Sequence, residues 1–514
     1  MNRLHIKAAA LIIVLALLLC GCAQGKDDQP AGDKTINMGA WNYFGASDQN
    51  PAESWNGWYL SFYGAGETLF KLDKGYNVIP WLVESFSYPE PDRWEFVIRD
   101  DVTFTNGVKV TAEEVKKSFD YMMEYTPRGK QTYDFKEIKA DGQVLTIITN
   151  SPQPTLTTDL CDPLGVVQYI SDGIDYANGA IMTGPYVITS FTANERVELE
   201  AYDGYWGGAP KVKYINLITY GDMDALTMAL QQGEIDLAVM PDYSSLSLFD
   251  PDDYTISVAT STRGQALVFN MESEFGGDIA VRKALAWCMD REGMVANTGD
   301  TYAYEYGMFP DIMSFGGVDK LDLEVTCCDL DAARKVLADA GYADTDGDGF
   351  VEKDGKKLSV RFVVSTGDPT ITMFAQAIQS QAKLIGIDLD LQEYANTSDI
   401  LAAGDFDVTI SSHGYAPAGN PQYFFNSYLV SGGTSNIGHY SNPTVDELAA
   451  KLQGTYDKDE RDRISIQIIQ EAMDDLYTVT FDHKKFYCVY RNGIEGFEAQ
   501  PSEYYLVDNM IDIH

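Results

Sequence analysis

Residues 224–239 read DALTMALQQGEIDLAV, and the fold class is inferred from this stretch outward. The stretch predicts a helix that begins at Asp224, a stop at Gly233, and a buried strand over 235–239. One face of this helix is apolar, formed by Leu226, Ala229 and Leu230. The segment is therefore a helix followed directly by a strand.

The same unit recurs further along the chain. One helix is predicted to begin at Asp329 and to stop at Gly341, and another to run from Asp368-Pro369 to Gly386. Earlier in the chain, an Asn106-Gly107 turn joins two short strands ahead of a helix whose capping box starts at Thr111. Helices and strands that alternate in this way predict an α/β fold with mixed sheets rather than a barrel or a sandwich.

The N-terminus is typical of an exported protein. Arg3 and Lys7 precede an apolar run over 8–19, and about a dozen apolar residues are too few for the roughly 20 that span a bilayer. Residues 1–21 are therefore predicted to be a signal peptide. Small Gly21 before Cys22 resembles the lipobox of bacterial lipoproteins, which implies a lipid anchor on Cys22. Residues 22–35 are polar and are predicted to be a tether.

Charge and length exclude some functions. The chain has 514 residues and a net charge of −40, and a strongly negative protein repels the phosphates of nucleic acids. Nucleic-acid binding is therefore not expected. The part that follows the tether is too long for one core, so we expect two large lobes.

Motifs of the common enzyme classes are absent from the sequence. None of the five histidines lies in an H-E-x-x-H arrangement, and there is no G-x-S-x-G elbow or P-loop. The stretch 344–349 (DTDGDG) matches the first half of a calcium loop, but Gly355 occupies its twelfth position, where a glutamate is needed. An acidic turn is the first interpretation and calcium the alternative. We assign no catalytic residue, cofactor or metal ligand.

Aromatic residues cluster between Trp41 and Tyr63. Tryptophan and tyrosine offer large contact areas with a polar end, which suits a binding cleft. Adjacent Trp58 and Tyr59 cannot both face one core, so we expect one side of this segment, with Tyr59, to meet a cleft and the rest to pack internally.

A series of short motifs, in order, resembles the family 5 extracellular solute-binding proteins of ABC importers. They include Gly66-Glu67-Thr68-Leu69-Phe70, Ile79-Pro80-Trp81-Leu82, Thr183-Gly184-Pro185-Tyr186, Tyr205-Trp206, Gln232-Gly233-Glu234-Ile235-Asp236 and Tyr440-Ser441-Asn442-Pro443. The matches extend from about residue 36 to the C-terminus. Each motif is weak alone, but their order makes the resemblance strong.

The resemblance implies a two-lobed fold of the periplasmic-binding-protein type (class II), with a subdomain inserted in lobe I. Lobe I would comprise residues 36–268, with the insertion at about 80–190, and would resume at 486–514. Lobe II would comprise residues 269–485. The implied function is capture of a ligand between the lobes and its delivery to the permease and ATPase of an ABC importer. We expect a monomer anchored outside the cytoplasm, and no enzymatic activity.

The resemblance also suggests ligand contacts, which differ between branches of the family. Peptide binders pair the peptide amine with an aspartate, where this chain has Asn420. Nickel-chelate binders use an arginine after the first long helix and an aromatic residue in a lobe II loop, to which Arg128 and Tyr415 correspond. With Tyr59, these residues are the predicted site, with Arg128 and Tyr415 on opposite lobes.

The resemblance leaves the ligand class open. A peptide is the first expectation, and a metal chelate or opine-like acid is the alternative. His413 and His439 are candidates for a metal-coordinating histidine, although a structural role is common for such residues. The alternative of a different class is a secreted glycosidase or peptidase.

Overall fold

The computed structural model describes residues 33–177 and 179–514. The predicted signal peptide (1–21), Cys22 and most of the predicted tether lie outside the described residues. Within the described ranges, no helix is both long enough and apolar enough to cross a membrane.

The strands are short except for two that cross the molecule. In chain order they are β1 (Thr35–Ala40), β2 (Phe70–Leu72), β3 (Val78–Pro80), β4 (Val83–Glu90), β5 (Arg93–Ile98), β6 (Phe135–Asp141), β7 (Val144–Thr149), β8 (Tyr186–Thr192), β9 (Arg196–Ala201), β10 (Tyr214–Thr219), β11 (Leu237–Val239), β12 (Tyr254–Phe269), β13 (Tyr302–Tyr304), β14 (Glu352–Lys353), β15 (Lys356–Lys357), β16 (Ser359–Ser365), β17 (Asp388–Tyr394), β18 (Val408–Gly414), β19 (Thr478–Arg491), β20 (Ile494–Glu495) and β21 (Asp512–Ile513).

The α-helices alternate with these strands. They are α1 (Asn56–Phe62), α2 (Ala112–Tyr125), α3 (Pro127–Thr132), α4 (Leu156–Asp159), α5 (Met223–Gln232), α6 (Ile279–Cys288), α7 (Arg291–Val295), α8 (Leu330–Asp339), α9 (Pro369–Leu384), α10 (Ser398–Ala402), α11 (Gln422–Phe424), α12 (Pro443–Gln453) and α13 (Lys458–Asp474). Short 3-10 turns occur at Pro163–Gly165, Tyr243–Leu248, Ala296–Thr298, Val318–Lys320 and Pro417–Gly419, and a π turn at Phe425–Leu429.

One large mixed sheet runs through the molecule. Its strand order is β17-β16-β18-β12-β19-β11-β1-β10-β9-β8, and β13 adds to β19. β1 pairs in parallel with β10 and β11, whereas β12 and β19 are antiparallel. The prediction of α/β structure with a mixed sheet is thus confirmed.

The local predictions succeed except at one helix start and at the hairpin around Asn106-Gly107, where the two predicted strands reduce to a single bridge between Thr103 and Lys109. α8 is capped by Asp329, and α9 by Asp368. The helix placed at Asp224 instead has Asp222 as its cap, because the Asp222 side chain accepts the backbone N–H of Ala225 at 2.7 Å. The side chain of either aspartate could accept a hydrogen bond at a helix N-terminus, and the prediction that the helix begins at Asp224 was wrong.

Separate hydrophobic cores lie on the two sides of the crossing strands. One core packs β1, β8–β11 and α1 with the C-terminal stretch, and another packs α6, α8 and α9 against β16–β18. A four-stranded sheet, β4-β5-β7-β6, stands apart from the large sheet and falls within the segment predicted as the insertion. Its core continues into α12, α13 and the loop at Tyr415, so the two sides of the molecule are in contact. The lobe boundaries at 268 and 485 stay predictions.

Candidate functional site at the lobe junction

The strands β12 and β19 connect the two sides, and their pairing is interrupted at one place. The register shifts between Thr260 and Gly264, so residues 261–263 bulge from the ladder. Ser261 holds the bulge: its Oγ donates to the carbonyl of Lys484 at 2.9 Å and accepts the N–H of Arg263 at 3.1 Å. A bulge bends a strand and redirects its side chains. Here it directs Arg263 toward the C-terminal stretch of the chain.

Arg263 is a cation with a loosely held partner. Its Nε lies 3.8 Å from Oε2 of Glu503, and the two side chains are 55% and 10% exposed. This separation is too long for a hydrogen bond, and the guanidinium donates none to the rest of the described chain. The N–H groups of the Arg263 guanidinium are therefore available to an acceptor outside the described chain, such as a bound ligand.

Aromatic residues from the predicted cluster surround this pair. The indole Nε1 of Trp58 donates to the carbonyl of Glu503 at 2.5 Å, and the Tyr59 ring lies 4.9 Å from that of Trp58. Burial raises the pKa of Tyr43 well above its usual value, and the charge of Glu503 raises it further. Burial also raises the pKa of the half-buried Tyr59. Phe62 and Tyr63 are fully buried. The prediction that Trp58 and Tyr59 face different sides was wrong, because their rings pack against each other and both are partly buried.

Arg128 lies in α3 and already has partners. Its Nη2 donates to both carboxylate oxygens of Asp162, at 3.1 and 3.3 Å, and its Nη1 donates to the carbonyl of Ser54 at 3.1 Å. The guanidinium also lies over the exposed ring of Trp55, 4.0 Å from its centre. The charge of Arg128 is thus largely neutralised within its own side of the molecule.

Tyr415 is fully buried, with no exposed surface. Its hydroxyl shares a hydrogen bond with Thr480 at 2.8 Å, and its backbone N–H donates to the carbonyl of Thr262 in the bulge at 3.0 Å. The rings of His413 and Phe424 pack against it at 5.4 and 4.7 Å. In this arrangement Tyr415 supports the bulge from the β18 side.

Asn420 joins the two sides directly. Its Nδ2 donates to Oδ1 of Asp159 in α4 at 3.3 Å. Asp159 also accepts Gln153 at 2.7 Å and Thr155 at 3.0 Å, and burial raises its pKa to about 6. A pocket of about 330 Å³ opens beside this contact, lined by Asp134, Ser151, Pro152, Gln153, Pro154, Thr155, Asp159, Asn420, Gln422, Tyr423, Asn426 and Gln453.

Two groups of side chains have the chemistry of metal ligands. Carboxylate oxygens of Asp344, Asp346, Asp348 and Glu352 lie within 4.8 Å of one another. Glu352 occupies the ninth position of the loop and was not predicted as a ligand from the sequence.

The two histidines considered as metal ligands differ in burial. His413 is fully buried among aromatic rings, and burial lowers its pKa to about 3, so its imidazole is neutral. His439 is exposed.

The comparison with family models identifies the chain. The model for bacterial extracellular solute-binding proteins, family 5 (middle region), matches residues 77–436. The chain belongs to this family. Its members are binding proteins that capture a solute outside the cytoplasm and deliver it to an ABC importer. The family and the function class predicted from the sequence motifs are thus confirmed.

Individual relatives agree with this assignment and extend over most of the chain. The chain is 27% identical to the nickel-binding protein NikA of Staphylococcus aureus over 448 residues, which covers 87% of this chain and 88% of that protein. It is 25% identical to the oligopeptide-binding protein AppA of Bacillus subtilis over 532 residues, covering 96% and 95%.

Solved structures confirm the two-lobed fold of the periplasmic-binding-protein type. The structure of a nickel ABC transporter protein from Bacillus halodurans matches with a TM-score of 0.86 and 25% identity, over 94% of this chain and all of that one. Arg263 and Glu503 were not predicted as site residues from the sequence. The available signal was the run Ser261-Thr262-Arg263-Gly264, whose small and polar residues precede the apolar end of a strand.

Proposed function

We propose that the captured ligand is a chelate of a divalent metal with a small carboxylate-bearing molecule. The observation that carries the proposal is Arg263, a half-exposed guanidinium with free donors at the junction of the lobes. A planar arginine fork matches a carboxylate, and such charge-assisted bonds strengthen when closure removes water. Resemblance to a nickel-binding protein and to the structure of a nickel ABC transporter supports this ligand class.

The surroundings of Asn420 also favour a chelate over a peptide. Where the peptide binders of the family have an aspartate, Asn420 supplies a neutral amide that is engaged with Asp159 and with the N–H of Gln422. Asp159 itself accepts three side-chain donors, so it offers little to a ligand ammonium. The predicted contacts Tyr59, Arg128, Tyr415 and Asn420 remain proposals, to which we add Arg263.

A peptide is the second candidate, and one observation favours it. Glu503 lies beside Arg263, so one pair of side chains offers an anion and a cation to a zwitterion. The similarity to an oligopeptide-binding protein over nearly the whole chain is consistent with this alternative.

Ligand capture is proposed to proceed by lobe closure about the bulge at 261–263 and the facing Lys484. Hinges in such proteins are a few residues that absorb a change in backbone angles, and the interrupted ladder provides them. The Asn420–Asp159 contact, which is present in this structure, would belong to the closed arrangement. Small-angle scattering should show compaction when the ligand is added.

The protein is further proposed to be a monomeric, non-enzymatic lipoprotein, anchored through Cys22 and serving a permease and ATPase pair. A diacylglycerol plus an N-acyl chain gives stable anchoring, whereas a single chain is marginal. Cys22→Ser should release the protein into the medium. Retention of that variant, with release of Cys20→Ser instead, would assign the anchor to the other cysteine.

Analysis of co-purified ligand tests the proposal. Protein from cells grown in complex medium is denatured, and the extract is examined by elemental and organic mass spectrometry. A chelate predicts one equivalent of metal together with a small carboxylic acid or amino acid. Short peptides without metal would establish the second candidate. Reincubation of the extract with fresh protein should return the ligand unchanged, whereas its consumption would indicate an enzyme.

A further inference from the structure

Arg291, at the start of α7 on the lobe II side, is a buried cation without a hydrogen-bonded partner. Only 2% of the residue is exposed. Its Nε and Nη1 atoms are buried and bond to no atom of the described chain. Its guanidinium lies 4.1 Å from the centre of the Tyr306 ring, which covers one face but leaves the in-plane N–H donors unsatisfied.

The neighbouring carboxylates are engaged elsewhere. Oε1 of Glu305 accepts the backbone N–H groups of Tyr306 and Gly307 at 2.7 and 2.8 Å. Glu324 is paired with Lys283 at 2.6 Å, and Asp474 accepts Gln470 at 2.8 Å. A buried charge costs several kcal/mol unless it is paired and hydrogen-bonded. The charge of Glu305 acts on Arg291, but no group of the described chain accepts a hydrogen bond from Nε or Nη1 of Arg291.

The guanidinium borders a small cavity. Its volume is about 50 Å³, and it is lined by Lys283, Arg291, Tyr306, Leu323, Glu324, Val325, Met473, Asp474, Leu476 and Val479. A cavity needs only about 10–15 Å³ to hold one water molecule, so this one has room for a small ion. It lies between α7 and the connection from α13 to β19, away from the bulge at 261–263.

We propose that this cavity binds a small monovalent inorganic anion, with chloride as the representative ion, through the unpaired N–H donors of Arg291. The cavity has apolar walls formed by Leu323, Val325 and Leu476, but the carboxylates of Glu324 and Asp474 also line it. Because these carboxylates repel a doubly charged oxyanion more strongly than a singly charged halide, a halide is the better fit. The ion would tie α7 to the start of β19, one of the two crossing strands. This site is separate from the proposed ligand site and does not depend on the ligand class.

The charge state of Arg291 is compatible with this role. Burial lowers the pKa of Arg291 to about 10, so the guanidinium stays a cation at neutral pH. The anion therefore meets a permanent charge, and its binding should change little between pH 6 and 8.

Thermal unfolding tests the proposal, with Arg282 as a matched control. Arg282 is also buried, but its Nε and Nη1 donate to the carbonyls of Asp475 and Gly276 at 3.1 and 2.8 Å. Replacing gluconate by chloride at constant ionic strength should raise the wild-type Tm by about 2 °C or more. Arg291→Met should lose this rise, and Arg282→Met should keep it. An equal rise in wild type and Arg291→Met would overturn the proposal.

A direct observation covers the case in which Arg291→Met fails to fold. Crystals of the wild-type protein grown in bromide should show an anomalous peak within hydrogen-bond distance of Nε or Nη1 of Arg291. Density that fits only water at this position, without an anomalous signal, would overturn the proposal whatever the variants do. Failure of the ligand experiments above would leave this result unaffected, because the two sites share no residue.

Discussion

Glu67 and Arg263 are charged residues in opposite situations. Glu67 belongs to a family motif, is fully buried, and accepts the Tyr205 hydroxyl at 2.7 Å and the Trp206 indole N–H at 3.1 Å. Both donors come from a second family motif. Arg263 lies outside every motif that was recognised, is half-exposed, and has its nearest acid at 3.8 Å.

The difference separates residues that mark the family from residues that select a ligand. The motif residues bond to one another within the first side of the molecule, so they are needed for the fold whatever the ligand is. A half-exposed guanidinium whose donors bond to no group of the described chain is available to a ligand. Ligand chemistry should therefore be sought outside the motifs.

The strongest effect is expected from Arg263→Ala. If the closed site buries a ligand carboxylate, loss of the guanidinium leaves that group unpaired, at a cost of about 2–5 kcal/mol. Affinity for the identified ligand should fall by roughly 30-fold or more, as measured by calorimetry. Arg263→Lys should recover little, because lysine has no planar fork.

The stability of Arg263→Ala provides the control for the affinity measurement. Arg263 is half-exposed and lies 3.8 Å from Glu503, beyond hydrogen-bond distance, so Arg263→Ala should unfold at a denaturant concentration close to that of wild type. Wild-type affinity in Arg263→Ala would remove Arg263 from the ligand site. Glu67→Gln should show the reverse pattern, with unchanged affinity and altered stability.

A pH-dependent stability effect is expected from Glu67. Burial raises the pKa of Glu67 from 4.5 to about 7 in the folded protein. The folded state therefore holds this proton more tightly than the unfolded state. Its contribution to stability is fully present below pH 4.5 and is lost as the pH rises through 7, by on the order of 3 kcal/mol.

Comparison of Glu67→Gln with wild type isolates this contribution. Glutamine does not titrate, so the variant should gain stability relative to wild type as the pH rises from 4.5 to 8, measured by chemical denaturation. A constant offset from glutamine's mismatched N–H group is expected at every pH. A difference between the two proteins that is the same at pH 4.5 and at pH 8 would contradict the prediction.

A smaller effect on affinity is expected from Arg128→Ala. Asp162 and Trp55 already hold the guanidinium, so part of its charge is unavailable to a ligand. Partly exposed ion pairs contribute about 0–1 kcal/mol, and affinity should fall by no more than about tenfold. Asp162→Asn is the matched variant: if Arg128 binds the ligand, releasing it from Asp162 should tighten binding. Weaker binding by Asp162→Asn would indicate that the Arg128–Asp162 pair supports the structure and that Arg128 does not bind the ligand.

Local structure was predictable from sequence because its causes are local. Asp368 caps α9 through the N–H of Thr370, only two residues away, and glycine at 386 follows the helix with a φ of 84°. Where two neighbouring residues compete for the same role, as Asp222 and Asp224 do, the choice depends on geometry that the sequence does not display.

The junction was less predictable because its contacts join distant parts of the chain. The resemblance located Arg128 after α2, but it gave no indication that Asp162 would bind it. Tyr415 was predicted to present an aromatic face to the ligand, and nothing in the sequence indicated that its backbone N–H would support the bulge. The position of Arg263 beside Glu503 depends on the bulge in β12 and on the C-terminal stretch, which supplies Glu503.

The smallest effect is expected from Asn420→Ala, which removes one contact between the two sides. The amide of Asn420 donates to Asp159 at 3.3 Å, close to the limit of a hydrogen bond, and such bonds contribute about 0.5–1.5 kcal/mol net. If this contact forms only on closure, the open protein is unaffected and the loss appears entirely in ligand affinity, which should fall by roughly threefold. Asn426→Ala is the control, because Asn426 lines the same pocket and its exposed side chain makes no hydrogen bond within the described chain. Equal affinities for the two variants in calorimetry would show that the contact does not contribute to closure, whereas a fall confined to Asn420→Ala would identify it as part of the closed state.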